Sequence, residues 1–209
     1  MNNDTVQRET IKVLNREYKI NIYYDDYGQS PREWDNLGTI IYWHRDYILG
    51  EIDGRKDDID PHDFHNQKIK EKAVILPVYL YDHSGITINT TGFSCRWDSG
   101  QVGYIFVDRA TILKEFGSKI LTKKLRQKTA DILVAEIETF DKYIRGEVYG
   151  FQLVDENDNH IDSCWGFFSI EEAIEAAREY VPTEEDILNE LKTKEQEKQD
   201  QINNLVGLA

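Results

Sequence analysis

The sequence predicts an α+β fold: a mostly antiparallel sheet with two central helices on one face, a C-terminal ββα unit and a C-terminal tail helix. Three observations predict it. Apolar residues alternate in Tyr18, Ile20, Ile22 and Tyr24, the pattern of a half-buried strand. Leu121, Leu125, Thr129, Ile132, Leu133, Ile137, Phe140 and Ile144 recur at the three-to-four spacing of one helix face. Two β-rich runs flank Asp155-Glu-Asn-Asp-Asn159, a hairpin signal, and Ser169-Ile-Glu-Glu172 follows as a capping box.

The elements read in order as follows. Residues 1–17 are polar apart from Ile11, Val13 and Leu14 and form an arm or a first edge strand. Tyr18–Tyr24 is a strand. Asp25–Asn36 is a loop marked by Gly28 and Ser30-Pro31. Thr39–Trp43 is a β-rich run ending at His44. Gly50–Asn66 is polar, contains Gly50, Gly54 and Pro61, and reads as a long acidic loop. Val74–Tyr81 is apolar, and Pro77 within it calls for an edge or a bulge, because proline has no N–H for the ladder. Gly103–Val107 is a strand. Asp108 is placed to cap a helix to Phe116, with Gly117 just past its end. Thr122 opens the long helix and Gly146 ends it.

Glu147–Val154 and Ile161–Phe168 are strands around the hairpin, and a helix runs to Tyr180. Pro182-Thr183 breaks the chain before a final helix. Its apolar positions Leu188, Leu191, Ile202 and Leu205 are heptad-like, but Glu195 and Lys198 interrupt the seam. It reads as a solvated tail rather than a stable coiled coil. The expected division is serial: a core over 1–146, a ββα unit over 147–181 packed on it, and a tail over 182–209.

Composition narrows the function classes. The chain has 209 residues, 40% hydrophobic and 11% aromatic, too rich in apolar groups for a disordered polymer. No apolar run approaches a membrane span, and the first twenty residues lack a signal-peptide pattern. Cys95 and Cys164 are too few for a disulfide framework, and without a CxxC a zinc ribbon is excluded. The expected setting is cytoplasmic. The net charge of −14 argues against direct nucleic-acid binding and against anionic membranes. Half of it lies between Asp25 and Asp63, where eleven acids face four bases. The acids are Asp25, Asp26, Glu33, Asp35, Asp46, Glu51, Asp53, Asp57, Asp58, Asp60 and Asp63. Lys114–Lys128 runs the other way, with six bases and one acid.

The densest chemistry lies in Tyr79–Val107. Asp82, His83 and Asp98, with Asp35 and His44 from outside it, have the residue types of a carboxylate–imidazole hydrolytic or nuclease centre using a divalent metal. Cys95 beside His83 or His44, with Asp82 or Asp98 as orienting group, has the types of a thiol nucleophile. The structural alternative is a buried small Cys95, with Ser84, Asp98 and Ser99 capping turns. Gly85, Gly100 and Gly103 are expected to need positive φ or close packing. His62 and His65 can meet on one helical turn and ligate a metal, although no second pair of soft ligands follows. The alternative there is a solvated acidic loop. Lys119, Lys123, Lys124, Arg126 and Lys128 oppose a helix dipole unless an anion or the acidic segment offsets them; the alternative is a solvated face. Trp165 and Phe167 alternate with Cys164 and Gly166, which places one face of a strand in the core or Trp165 in a partner pocket.

Ser30-Pro-Arg-Glu-Trp-Asp-Asn-Leu-Gly38, Asp82-His-Ser-Gly85, Phe93-Ser-Cys95, Trp97-Asp-Ser-Gly-Gln-Val-Gly103 and Asp162-Ser-Cys-Trp-Gly-Phe167 together resemble a family of uncharacterised bacteriophage and mobile-element proteins. The resemblance spans about residues 20–168 and brings no catalytic set with it. It implies a small protein made during phage or plasmid entry. Two function classes follow. One is an acidic protein that inhibits a host defence protein, of anti-CRISPR or anti-restriction type, by occupying a basic, nucleic-acid-binding surface. Its expected contacts are Asp25, Asp26, Glu33, Asp35, Asp53, Asp57, Asp58, Asp60, Asp63, Trp97 and Trp165. The other is a metal-dependent hydrolase or nuclease built on Asp82, His83, Asp98 and His44.

Overall fold

The computed structural model describes residues 5–206, with side chains through residue 203. The side chain of Leu205, the last predicted heptad position, therefore lies outside the described residues. The first half contains β1 (Gln7–Val13), β2 (Arg16–Tyr24), a 3-10 turn η1 (Pro31–Glu33), β3 (Thr39–Tyr42), β4 (Ile52–Asp53) and α1 (Pro61–Lys70). There follow β5 (Val74–Asp82), β6 (Ile86–Asn89), β7 (Ser99–Val107), α2 (Arg109–Glu115) and α3 (Lys123–Ile144). The chain closes with β8 (Tyr149–Val154), β9 (His160–Phe167), α4 (Ile170–Arg178) and α5 (Glu184–Val206). The fold is α+β, with nearly all strand pairs antiparallel.

The chain divides into two units, and not serially. One joins residues up to Asp26 with those from Val148 onward, and the other is Tyr27–Glu147. The reason is long-range pairing: β2 lies beside β8, with Ile22 opposite Phe151. The β1–β2 hairpin thus completes the sheet of the ββα unit, in the order β1-β2-β8-β9.

In this first unit Ile20, Ile22, Phe151 and Leu153 face one way and bury against Ala173, Ile174 and Ala177 of α4. Ser169 caps α4 by accepting from the Glu172 N–H at 3.1 Å. Ile187 of α5 enters the same core. Thr183 and Asp186 cap α5 reciprocally, each accepting from the other's backbone N–H. Gly166, at φ +92°, coincides with a register shift in which Trp165 faces Gly150 and Phe167 faces Tyr149. The bulge turns Trp165 and Phe167 to opposite faces. Phe167 joins the core, whereas Trp165 lies over Gly150 on the other face, where a Cβ would strike the indole.

The second unit is a five-stranded sheet in the order β4-β3-β7-β5-β6. Ile40, Val78, Leu80, Ile105 and Val107 bury against Leu133, Ile137 and Phe140 of α3 and Ile112 of α2. The two helices share a face, as the sequence predicts. Pro77 falls in the part of β5 that β6 does not reach, one residue before a bulge at Val78/Tyr79. Asp108 begins α2 without a side-chain capping bond, because its carboxylate takes the Lys68 ammonium at 2.9 Å. Thr122 caps α3 through the Leu125 N–H, and Gly117 and Gly146 take positive φ after α2 and α3.

The predicted acidic loop over Gly50–Asn66 requires correction. It contains β4 and the start of α1. Asp60 caps α1 by accepting from the Asp63 N–H at 2.9 Å, and Pro61 occupies the first turn. Phe64 carries the helix onto the second face of the sheet, edge-on to Trp43 and Phe106. Among the described residues no helix is long and apolar enough to cross a membrane.

Candidate functional site

The acidic segment separates into two kinds of carboxylate. Glu51 accepts from the Ile40 N–H at 2.6 Å and from the Arg32 guanidinium. The same guanidinium reaches Glu136 of α3 at 3.2 Å and the Gly38 carbonyl at 2.7 Å. Glu136 in turn accepts from the backbone N–H groups of Leu37 and Gly38. Arg32 and Glu136 are only 8% and 11% exposed, so this pair is part of the interior, and Glu51 closes it at the surface. Asp53 pairs with Arg55 and Lys56, and the Arg55 hydrogen bond holds its carboxyl below the usual range. Glu51 and Asp53 are therefore committed internally. Glu33 takes a hydrogen bond from Gln29, and Asp35 is exposed just after η1. Asp25 and Asp26 belong to the first unit.

Asp57, Asp58, Asp60 and Asp63 differ. All four are exposed, and among the described residues none forms an ion pair with Lys or Arg. The turn that displays Asp57 and Asp58 is tied at both ends, and Asp60 and Asp63 follow at the cap and first turn of α1. Gly54 N–H donates to the Tyr42 carbonyl at 2.9 Å, and Ile59 N–H donates to the Gly54 carbonyl at 2.8 Å. The Trp43 indole N–H donates to the Ile59 carbonyl at 2.8 Å. A side chain at Gly54 would collide with that indole, so glycine allows the turn to lie flat on it. Asp58 turns the chain at φ +53°. Ordered backbone thus presents four exposed carboxylates within seven positions, Asp57 to Asp63, with no Lys or Arg partner among the described residues.

His62 and His65 do not come together as ligands. His65 stacks on Tyr104 at 5.2 Å, while His62 lies with Asp60 and Asp63, one ligand atom of each within 4.8 Å. Asp60 is already the helix cap, and all three are exposed. Three such groups fall short of the six to eight oxygens that a calcium-type site assembles.

At one end of the five-stranded sheet the loops after β3, between β5 and β6, and before β7 bring several predicted groups together. Tyr47 donates its hydroxyl to Asp82 at 3.0 Å, which with partial burial raises its pKa. His44 stacks on Tyr47 at 4.9 Å, with Nδ1 accepting from the Asp46 and Tyr47 N–H groups. The Asp82 N–H donates to the Asp98 carbonyl at 2.8 Å. The Asp98 carboxylate lies 3.5 Å from His83 Nδ1 and 3.6 Å from Cys95 Sγ. Cys95 borders an open hollow of about 440 Å³ with Tyr79, Phe93 and Arg96. Trp97 beside it is 95% exposed.

The order of this cluster decides its chemistry. A thiol nucleophile needs direct contact with a base. Here the carboxylate stands between thiol and imidazole. His44 has its Nδ1 engaged by the turn, and Asp82 points its carboxylate to Tyr47. Among the described residues only Asp60, His62 and Asp63 gather three metal-type donors within 4.8 Å, so Asp82, His83 and Asp98 do not form such a set. Asp35, outside these loops, forms no hydrogen bond or ion pair with them among the described residues.

The basic run is also divided. Arg126 donates to the carbonyls of Lys72 and Ala73, and Lys128 sits over the Phe116 ring at 4.8 Å. Lys119, Lys123 and Lys124 remain exposed.

Sequence reasoning missed Tyr47, Trp43 and Gly54. Trp43 and Gly54 carry no local signal, because their contact joins residues on separate segments. Tyr47, one turn after His44, was open to a stacking argument. No protein-family model, curated protein or solved structure matches the chain.

Proposed function

We propose that this protein is an acidic binding protein that docks the turn Asp57–Asp63 on a basic surface of a partner protein. The observation that carries this reading is the pinned turn over Trp43. Among the described residues its exposed carboxylates have no Lys or Arg partner, whereas Glu51 and Asp53 nearby are neutralised within the fold. Unpaired carboxylates held on ordered backbone avoid part of the entropy that flexible acids lose on docking, and they steer encounter with a cationic patch. The resemblance to phage and mobile-element proteins supplies the partner class: a host defence nuclease with a basic nucleic-acid channel. Trp97 supplies an exposed aromatic anchor of the kind enriched at binding hot spots.

The test is inhibition of DNA cleavage by a panel of purified restriction enzymes and CRISPR effectors. Wild type is expected to inhibit at least one, less so as salt rises. Asp57→Lys/Asp58→Lys/Asp63→Lys is expected to weaken inhibition at least about tenfold. Asp60 is spared because it caps α1. No inhibition across the panel, or inhibition indifferent to both salt and charge reversal, rejects the reading.

A second reading rests on the gathering of Asp82, His83, Cys95 and Asp98 at one sheet end. A metal-dependent hydrolase or nuclease would require Asp82 to leave Tyr47 and join His83 and Asp98 around an ion. Calorimetry with Mg²⁺, Mn²⁺ and Zn²⁺, followed by nuclease assays of wild type, Asp82→Asn and Asp98→Asn, decides it. Metal uptake and cleavage lost in both variants support it; neither metal uptake nor cleavage by the wild type removes it.

A further inference from the structure

Helix α5 is docked at its start and uncovered thereafter. Ile187 is buried in the first unit's core, and Glu190 accepts from Arg16 at 2.7 Å. From Leu191 through Asn203 every described residue is exposed, and the side-chain hydrogen bonds given there run within the helix. A lone helix of this length is marginal in water unless an apolar face is covered. Leu188, Leu191 and Ile202 expose such a face, at 47%, 42% and 54%. The seam runs 188, 191, 195, 198, 202, alternating steps of three and four, and Glu195 and Lys198 occupy its middle.

We infer that the occupant of this face is a second copy of the same helix, running antiparallel. The interruption of the seam becomes its specification. In one antiparallel register Leu191 of each copy faces Ile202 of the other, and Glu195 of each faces Lys198 of the other. The same register sets position 188 against position 205, which the sequence also fills with leucine. Apolar layers thus meet apolar layers, and each central carboxylate meets an ammonium. A parallel pair would set Glu195 against Glu195 and Lys198 against Lys198, two repulsive layers. Sliding the antiparallel pair by one heptad would set leucine against charge. Beside the seam, Lys192 and Lys194 fall next to Gln199 and Gln201, so the flanks add no like-charge clash. The polar centre lowers stability and fixes orientation, the established role of polar groups in coiled-coil seams.

Sedimentation of the full chain over a concentration series tests the assembly, with circular dichroism confirming that each variant keeps its fold. The wild type is expected to show a monomer–dimer equilibrium. Glu195→Lys should weaken the dimer at least about tenfold, by setting two ammonium groups together, and Glu195→Lys/Lys198→Glu should restore it. Glu195→Leu/Lys198→Leu should tighten self-association at least about tenfold, since apolar layers replace buried ion pairs. Orientation is read by disulfide trapping on a Cys95→Ser/Cys164→Ser background. A mixture of Leu191→Cys and Ile202→Cys chains should cross-link, and neither should cross-link alone. A monomer at concentrations up to about 0.5 mM overturns the inference, as does cross-linking of Leu191→Cys with itself or an exchange variant that fails to restore the dimer.

Discussion

Glu51 and Asp57 are six positions apart in one acidic stretch, yet they belong to different parts of the molecule's chemistry. Glu51 satisfies a backbone N–H and a guanidinium, and with Glu136 it fastens the loop after η1 to the sheet and to α3. Asp57 faces water on a turn tied down by its neighbours. Formal charge counts them equally. Partner availability separates them: a carboxylate that neutralises a buried guanidinium is costly to remove, whereas one without a partner is nearly free to change. Net charge therefore overstates the acidic surface that is left without a cationic partner, and the pinned turn carries a dense part of it.

The largest expected effect lies on the interior side. Glu136→Ala leaves the Arg32 guanidinium short of a carboxylate and removes the acceptor for two backbone N–H groups. It should destabilise the protein by about 3 kcal/mol in urea unfolding. A loss below about 1 kcal/mol would place this cluster with the surface pairs and dissolve the contrast.

Next come two glycines three positions apart. A Cβ at Gly103 would run into the Ile41 carbonyl oxygen and the Tyr42 backbone, so Gly103→Ala should cost about 2 kcal/mol or more. Gly100 has open space and no positive φ, so the expectation that it needs glycine is corrected. Gly100→Val should shift stability by less than about 0.5 kcal/mol in the same measurement. Gly85 keeps its special status through φ +148°.

Glu190 sharpens the comparison as an exposed carboxylate with partners. Arg16, then Lys194, holds its pKa down to about 2 from 4.5. Its contribution to docking α5 is therefore complete above pH 4.5 and declines as pH falls through about 2. Hydrogen-exchange protection factors of α5 amides should fall across that window, and Glu190→Gln should flatten the dependence. An unaltered profile in the variant would assign the acid sensitivity to other carboxylates. Smallest of all, Asp57→Lys should leave the melting temperature within about 2 °C of wild type, equivalent to at most about 0.5 kcal/mol. A larger drop would show that this aspartate serves the fold.

Much of the backbone was legible in the residue order. Thr122 and Ser169 cap their helices and Gly117 and Gly146 end them, because a helix terminus is satisfied by groups within a few residues. The 121–144 periodicity gave α3 and its buried face, and Pro77 marked a bulged strand without a full neighbour. Local order also held the Asp60-Pro61 start of α1, but sparse apolar residues hid it. Phe64 earns its place only against Trp43 and Phe106, which come from distant segments. The same limit applies to the candidate site. Its residue types were visible, while the position of Asp98 between Cys95 and His83, and the capture of Asp82 by Tyr47, depend on three loops meeting at one sheet end.

The sequence by itself determined the α+β class, the helix boundaries set by caps, the hairpin at Asp155–Asn159 and the uneven distribution of charge. These depend on interactions between near neighbours or on composition. Tertiary structure alone decided that β2 joins β8, that a bulge at Gly166 turns Trp165 away from Phe167, and that the buried Arg32 guanidinium engages Glu51. Each of those outcomes requires distant segments to close on one another. Loop closure costs little more as the separation grows, so sequence distance does not mark the partner. Shape and hydrogen-bond satisfaction select it in the folded chain.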